Sequence, residues 1–166
     1  MLFRSLLLMK REIAGMLVAT FLLEAVALAG IGSRTTMYVG GTLPIKEMTE
    51  GNSSTADEKV FLFEYKNGKQ NTTIKIPYEK VDALEYGQKA GRRLGLAIAV
   101  TPLALFSKKR KHFLTINYLD DADKQQAAVF ELGKDIVRTT LASLEARTGR
   151  KVEYQDEEAR KSGKGN

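Results

Sequence analysis

The chain holds one histidine, His112, and no cysteine. Thiol catalysis, disulfides and cysteine metal sites are therefore excluded. Nucleophilic catalysis needs a hydroxyl or thiol beside a positioned base. His112 sits inside a basic block with no partner nucleophile in view, so it reads as a strand-edge residue whose pKa the neighbouring cations lower. The acids of "DDADKQQAAVFE" (120–131) fall at positions 1, 2, 4 and 12 of a calcium-loop template. Positions 3 and 5 carry no ligand and position 6 no glycine, so this is not an EF-hand. "GQKAGRRLG" lacks the Gly-Lys-Ser/Thr ending of a P-loop. No cofactor or metal is expected, and no enzyme activity.

The remaining chemistry is that of charge beside grease. In "GRRLGLAIAVTPLALFSKKRKH" (91–112), Leu94 to Phe106 carry no charge. Arg92 and Arg93 precede them; Lys108, Lys109, Arg110 and Lys111 follow. Those six cations are candidate contacts for an anionic partner or lipid headgroup. Leu94, Leu96, Ile98, Val100, Leu103, Leu105 and Phe106 are candidates for membrane insertion. Three readings stay open. A run of this length is more often core than membrane. An interfacial segment would draw about 1 kcal/mol per basic residue from an anionic surface. It is too short to span, and Pro102 would kink a helix through it. Small residues Gly87, Gly91, Gly95 and Ala99 at four-residue spacing would also suit close helix association.

The elements that would hold this segment follow from pattern. The chain has 166 residues and a net charge of +6, enough for one domain and a weak preference for anionic surfaces. Nucleic acid is not an expected partner, because the basic block is joined to aliphatics instead of exposed aromatics. Residues 1–29 read as an export signal. A basic start ends near Arg11, an apolar stretch follows, and Ala27-Leu28-Ala29 is a small-x-small cleavage site. The rival is an uncleaved anchor, which Glu24 disfavours. Either way the body lies outside the cytoplasm, in the periplasm or cell envelope.

The body reads as strands. "MYVGGTL" (37–43) is the first, its glycine pair marking a bulge. "TEGNSSTADE" holds a weak second. "KVFLFEY" (59–65) and "TTIKIPY" (72–78) flank the hairpin turn "KNGK". "VDALEYG" (81–87), "HFLTINYL" (112–119) and "QQAAVFEL" (125–132) follow. The period then changes to a helix of about 15 residues in "GKDIVRTTLASLEARTGRK", with Val137, Leu141 and Leu144 on the inner stripe and Gly149 ending it. Thr140 is expected on the outside, where an aspartate would be tolerated. Residues 150–166 carry mixed charge and read as a solvated tail.

The expected fold is mainly β: six to seven antiparallel strands in a barrel or sandwich over residues 36–149, capped by one C-terminal helix and preceded by a hydrophobic signal helix. "YVGGT", "IPYEKVDALEYGQKAGRR", "LFSKKRKHFLTINY" and "AAVFELGKDIVRTTLASLEARTG" resemble a family of uncharacterised exported bacterial proteins with the strand plan of PH and GRAM domains. The resemblance spans roughly residues 36–158. It implies a PH-like domain and no enzyme activity. "LPIKEMTEG" departs from phosphoinositide-binding PH domains, holding one lysine against two glutamates where those carry several cations. The expected function is a non-enzymatic exported binding or scaffold domain for a protein or envelope surface. The alternative is a membrane-associated module that binds anionic lipid through residues 94–106 and their flanks.

Overall fold

A computed structural model describes residues 34–88 and 111–164. They form eight strands, two helices and one 3-10 turn. The strands are β1 (Thr36–Gly41), β2 (Thr49–Ser54), β3 (Val60–Asn67), β4 (Gln70–Pro77), β5 (Val81–Gly87), β6 (Phe113–Leu119), β7 (Gln125–Leu132) and β8 (Val152–Tyr154). The helices are α1 (Val137–Thr148) and α2 (Glu157–Lys164). One curled sheet, a half-barrel, runs in the order β4-β3-β2-β1-β7-β6-β5-β8. The molecule is thus mainly β.

Local chemistry sets the strand ends. In the β3–β4 hairpin, Asn67 pairs with Gln70 and Gly68 takes φ 63° between them. A glycine reaches that conformation without steric cost. The expected bulge at the β1 glycines is present: register against β7 shifts between Tyr38 and Gly40. Gly41 has φ 137°, and a Cβ there would overlap the Ala127 carbonyl. No side chain other than hydrogen fits that approach.

Alternating residues of the strands fill the inside of the curl. Tyr38, Phe61, Phe63, Ile76, Leu84, Tyr86, Leu114, Ile116 and Phe130 are buried there together. Phe130 is central, its ring centroid 5.1 Å from Phe63, 5.4 Å from Phe61 and 5.8 Å from Tyr38. α1 covers part of this core with Val137, Thr140, Leu141 and Leu144. Gly149 ends α1 at φ 68°, its N–H bonding the Glu145 carbonyl.

Two sequence expectations need correction. Thr140 is 6% exposed. It lies three residues after Val137 and one before Leu141, so the buried stripe is broader than the strongly apolar residues alone mark. The segment expected as a solvated tail holds structure as well. β8 pairs in parallel with β5, Leu84 opposite Val152 and Tyr86 opposite Tyr154. Asp156 then caps α2 by accepting the Ala159 N–H at 2.7 Å. α2 docks through small residues: Ala159 and Gly163 are buried, and a Cβ on Gly163 would lie 2.6 Å from the Tyr154 ring. The eighth strand is therefore one more than the six to seven expected. Among the described residues no helix is long and apolar enough to cross a membrane.

Candidate functional site

Strand register gathers several chain connections at one end of the sheet. Gly87, where β5 finishes, pairs with Phe113, where β6 starts. Phe113 pairs with Glu131 near the end of β7. Thr36, where β1 starts, pairs with Leu132. Main-chain bonds continue this alignment past the strands: Leu132 N–H donates to the His112 carbonyl at 2.7 Å, and Gly133 N–H to the Thr35 carbonyl at 2.8 Å. The chain preceding Arg34 and both ends of residues 89–110 thus join the sheet at the same end. β8 runs parallel to β5, so Tyr154 and the start of α2 lie there too.

Of the candidates from sequence, Arg92, Arg93, Leu94, Leu96, Ile98, Val100, Leu103, Leu105, Phe106, Lys108, Lys109 and Arg110 lie outside the described residues. Lys111 lies within them. The structure places it in an ion pair instead of on an open rim: its Nζ is 2.7 Å from Glu131 Oε2, with side chains 22% and 8% exposed. In sequence Glu131 stood out only as the last acid of the rejected calcium-loop template, because only the β6–β7 register brings it beside Lys111. Lys111→Gln should destabilise the domain by about 2–3 kcal/mol, less than the loss of a fully buried partner because Lys111 keeps some solvent. Adding Glu131→Gln should recover most of that loss. Urea melts of wild type and both variants measure it, and equal stability of single and double variants would contradict the pairing.

His112 is half-buried beside Lys111. Its Nδ1 meets the Tyr86 hydroxyl at 2.5 Å, and that hydroxyl meets Ser162 Oγ of α2 at 3.1 Å. The two rings lie nearly parallel, 13° apart. Neutral His112 accepts the Tyr86 O–H. Protonated, it would donate instead, and Tyr86 would turn its proton to Ser162, whose Oγ is already 3.0 Å from the Ala159 carbonyl. The chain of hydroxyls thus accommodates both states, and burial decides between them. Burial pushes the His112 pKa below its ordinary 6.5, opposed by the Glu131 charge. Of the neighbouring cations expected to lower it, Lys108, Lys109 and Arg110 lie outside the described residues.

The sign of the pH effect follows. Below about pH 6.5 the unfolded chain binds a proton at His112 that the folded chain resists. Stability is therefore full above the ordinary histidine value and declines as pH falls through it. The lowered carboxyls of Asp57, Asp120 and Glu157 act only below their ordinary values of 3.8, 3.8 and 4.5. Between pH 7.5 and 5.5, wild type should lose melting temperature and His112→Gln should not. Parallel curves for the two would contradict this assignment.

α2 completes this end. Gln155 N–H donates to the Tyr86 carbonyl at 3.0 Å. Tyr154 meets the Tyr86 ring edge-on at 5.9 Å, and Lys164 Nζ lies 5.5 Å from the Tyr154 ring centre. Elsewhere, an open polar groove of about 470 Å³ crosses β1–β4, lined in part by Glu50, Asn52, Glu64, Lys66 and Asn71. Those five side chains are exposed. The groove offers hydrogen bonding and charge of both signs beside Tyr65. Among the described residues no three acidic or histidine side chains converge as metal ligands do.

No protein-family model matches the chain, and no curated protein matches it in sequence.

Proposed function

We propose that the chain is a non-enzymatic, exported binding domain of a cell envelope, applied to a membrane surface by one end of its sheet. The observation that carries this reading is the convergence at that end. Arg34, Gln88 and Lys111, the described residues next in sequence to the apolar N-terminal segment and to residues 89–110, stand beside Thr36, Gly87, Phe113 and Leu132, which lie side by side. Apolar sequence following on from several positions at one end of the sheet favours a membrane as the contacted surface over a soluble partner. Anionic headgroups fit the flanking Arg92, Arg93, Lys108, Lys109 and Arg110; Lys111 is taken up by Glu131.

The strand order supports a PH-like plan. β1–β4 form one meander and β5–β7 another, the two joined through β1 and β7, with a helix directly after β7. Such a scaffold serves many binding roles, so the function rests on the site and not on the fold.

Flotation of residues 30–166 with vesicles tests the reading. Wild type should float with anionic vesicles at low salt. Changing Arg92, Arg93, Lys108, Lys109 and Arg110 together to glutamine should abolish flotation and leave the melting temperature unchanged, since solvated cations contribute little to stability. Ile98→Asp should give folded protein that no longer floats. An unfolded Ile98→Asp, with flotation unaltered in the charge variant, would return Leu94–Phe106 to the protein core and overturn the proposal.

A further inference from the structure

The outer face of the sheet is not uniform. Side chains alternate along each strand, so the neighbours of Tyr38, Leu114 and Phe130 point away from the inner core. On β2 and β3 that outer face is polar and open: Glu50, Asn52, Glu64 and Lys66 are exposed. On β1, β7 and β6 it is apolar and closed. Val39, Ala127 and Val129 have no solvent exposure, and Thr115 has 5%. None of these four belongs to the cluster that fills the curl, although Tyr38, Leu114, Ala128 and Phe130 beside them do. Among the described residues the helices do not supply the cover, because Val137, Leu141, Leu144 and Ala159 all pack into the inner cluster. A patch three strands wide is about 10 Å across, the width of a single helix. Its burial therefore calls for a cover about one element wide.

We infer that the cover is the chain's own segment 89–110, docked on the outer face through its small residues. Gln88 and Lys111, which flank the segment in sequence, stand on neighbouring strands, since Gly87 pairs with Phe113. Lys111 turns its side chain to the outer face, where it meets Glu131. From Glu131 to Ala127 along β7 is about 13 Å, whereas a loop of the 22 residues 89–110 can reach out and back over about 36 Å. Its centre, Leu94–Phe106, brings apolar surface without charge. Gly95, Ala97 and Ala99 alternate with Leu94, Leu96, Ile98 and Val100. The small residues permit close approach to Val39 and Val129 and leave the large aliphatics for the bilayer. That outward role rests on the membrane reading above; the docking does not, and it is measurable without anionic lipid. The apolar N-terminal segment is the weaker occupant, because export would remove it and leave the patch bare.

Ala127→Cys and Ala128→Cys would stand side by side on opposite faces of β7, each the sole cysteine of its chain. In the full chain held in a neutral detergent, a maleimide should label neither. Adding Gly95→Asp with Ala99→Asp should speed the labelling of Ala127→Cys by about tenfold or more through local opening, and leave Ala128→Cys protected. With no aspartate introduced, Ala127→Cys should also oxidise to an intramolecular disulfide with Gly95→Cys, Ala97→Cys or Ala99→Cys, a readout that holds even where the charged variant fails to fold. Four results overturn the inference: rapid labelling of Ala127→Cys in the otherwise unaltered chain, its exposure on removal of residues 1–29 alone, its exposure on dilution, as a second copy would give, or no disulfide with any of the three segment positions. A wild type that fails to float with anionic vesicles, yet shows the protected Ala127→Cys and the disulfide, would sink the membrane reading and leave the docking in place.

Discussion

Phe130→Ala should lower the unfolding free energy by about 3–5 kcal/mol, the usual cost of removing a buried phenylalanine. Phe130 has no solvent exposure. It stands on β7, which joins the β1–β4 meander to the β5–β7 meander, and its ring touches Tyr38, Phe61 and Phe63 from the first of these. Backbone pairing holds those rings from moving in to fill the space, so little of the cavity can collapse. A domain of this size has roughly 5–15 kcal/mol in hand. The variant should fold in the cold and melt well below wild type. Urea unfolding measures the change, and a loss under about 1 kcal/mol would mean that Phe130 is not the hub of the core.

Leu141→Asp should abolish folding. Leu141 is 2% exposed on the face of α1 that covers the curl. Its Cδ1 would also lie 3.1 Å from a Cβ placed on Gly163, so the same side chain supports α2. A carboxylate there loses its hydration, a penalty of several kcal/mol on top of the lost packing. Thr140→Asp should also destabilise, by less, because Thr140 lies at the margin of the stripe at 6% exposure. Circular dichroism of the pair checks the order. A folded Leu141→Asp with an unfolded Thr140→Asp would rotate the buried face of α1 by about one residue.

Much of the sheet was legible because its signal is periodic. "KVFLFEY" is a run of β-formers, "TTIKIPY" alternates with Ile74, Ile76 and Tyr78 on one face, and "NG" between them demands a tight turn; β3 and β4 form there with Asn67 opposite Gln70. The Gly40-Gly41 bulge was legible for a similar reason, since only glycine suits the close approach to Ala127. β8 and α2 were not. Val152 and Tyr154 are too few to make an alternating pattern, and α2 docks through Ala159 and Gly163, whose lack of bulk is what lets them fit. Small residues leave no apolar trace in a charged stretch. Thr140 was missed because a threonine on a helix reads as polar whichever way it faces.

The candidate site was legible in composition and not in place. The basic and apolar blocks of residues 92–111 are visible as letters. That Lys111 differs from its three basic neighbours depends on Glu131, twenty residues away and brought near only by the β6–β7 register. That Arg34, Gln88 and Lys111 share one end of the sheet depends on β1 pairing with β7, a contact between strands far apart in the chain.

The shared end is the central claim, and a single-cysteine fluorescence measurement tests it most directly. Gln88 closes β5 at that end, whereas Asp121 lies in the turn between Leu119 and Gln125 at the opposite end of β6. Seven strand residues separate the two ends, about 23 Å at the usual rise. An environment-sensitive dye on Gln88→Cys, in the full chain reconstituted with anionic vesicles, should brighten, shift to the blue and be quenched by a lipid-borne quencher. The same dye on Asp121→Cys should report water. Equal spectra at the two positions, or quenching at Asp121 alone, would contradict the account.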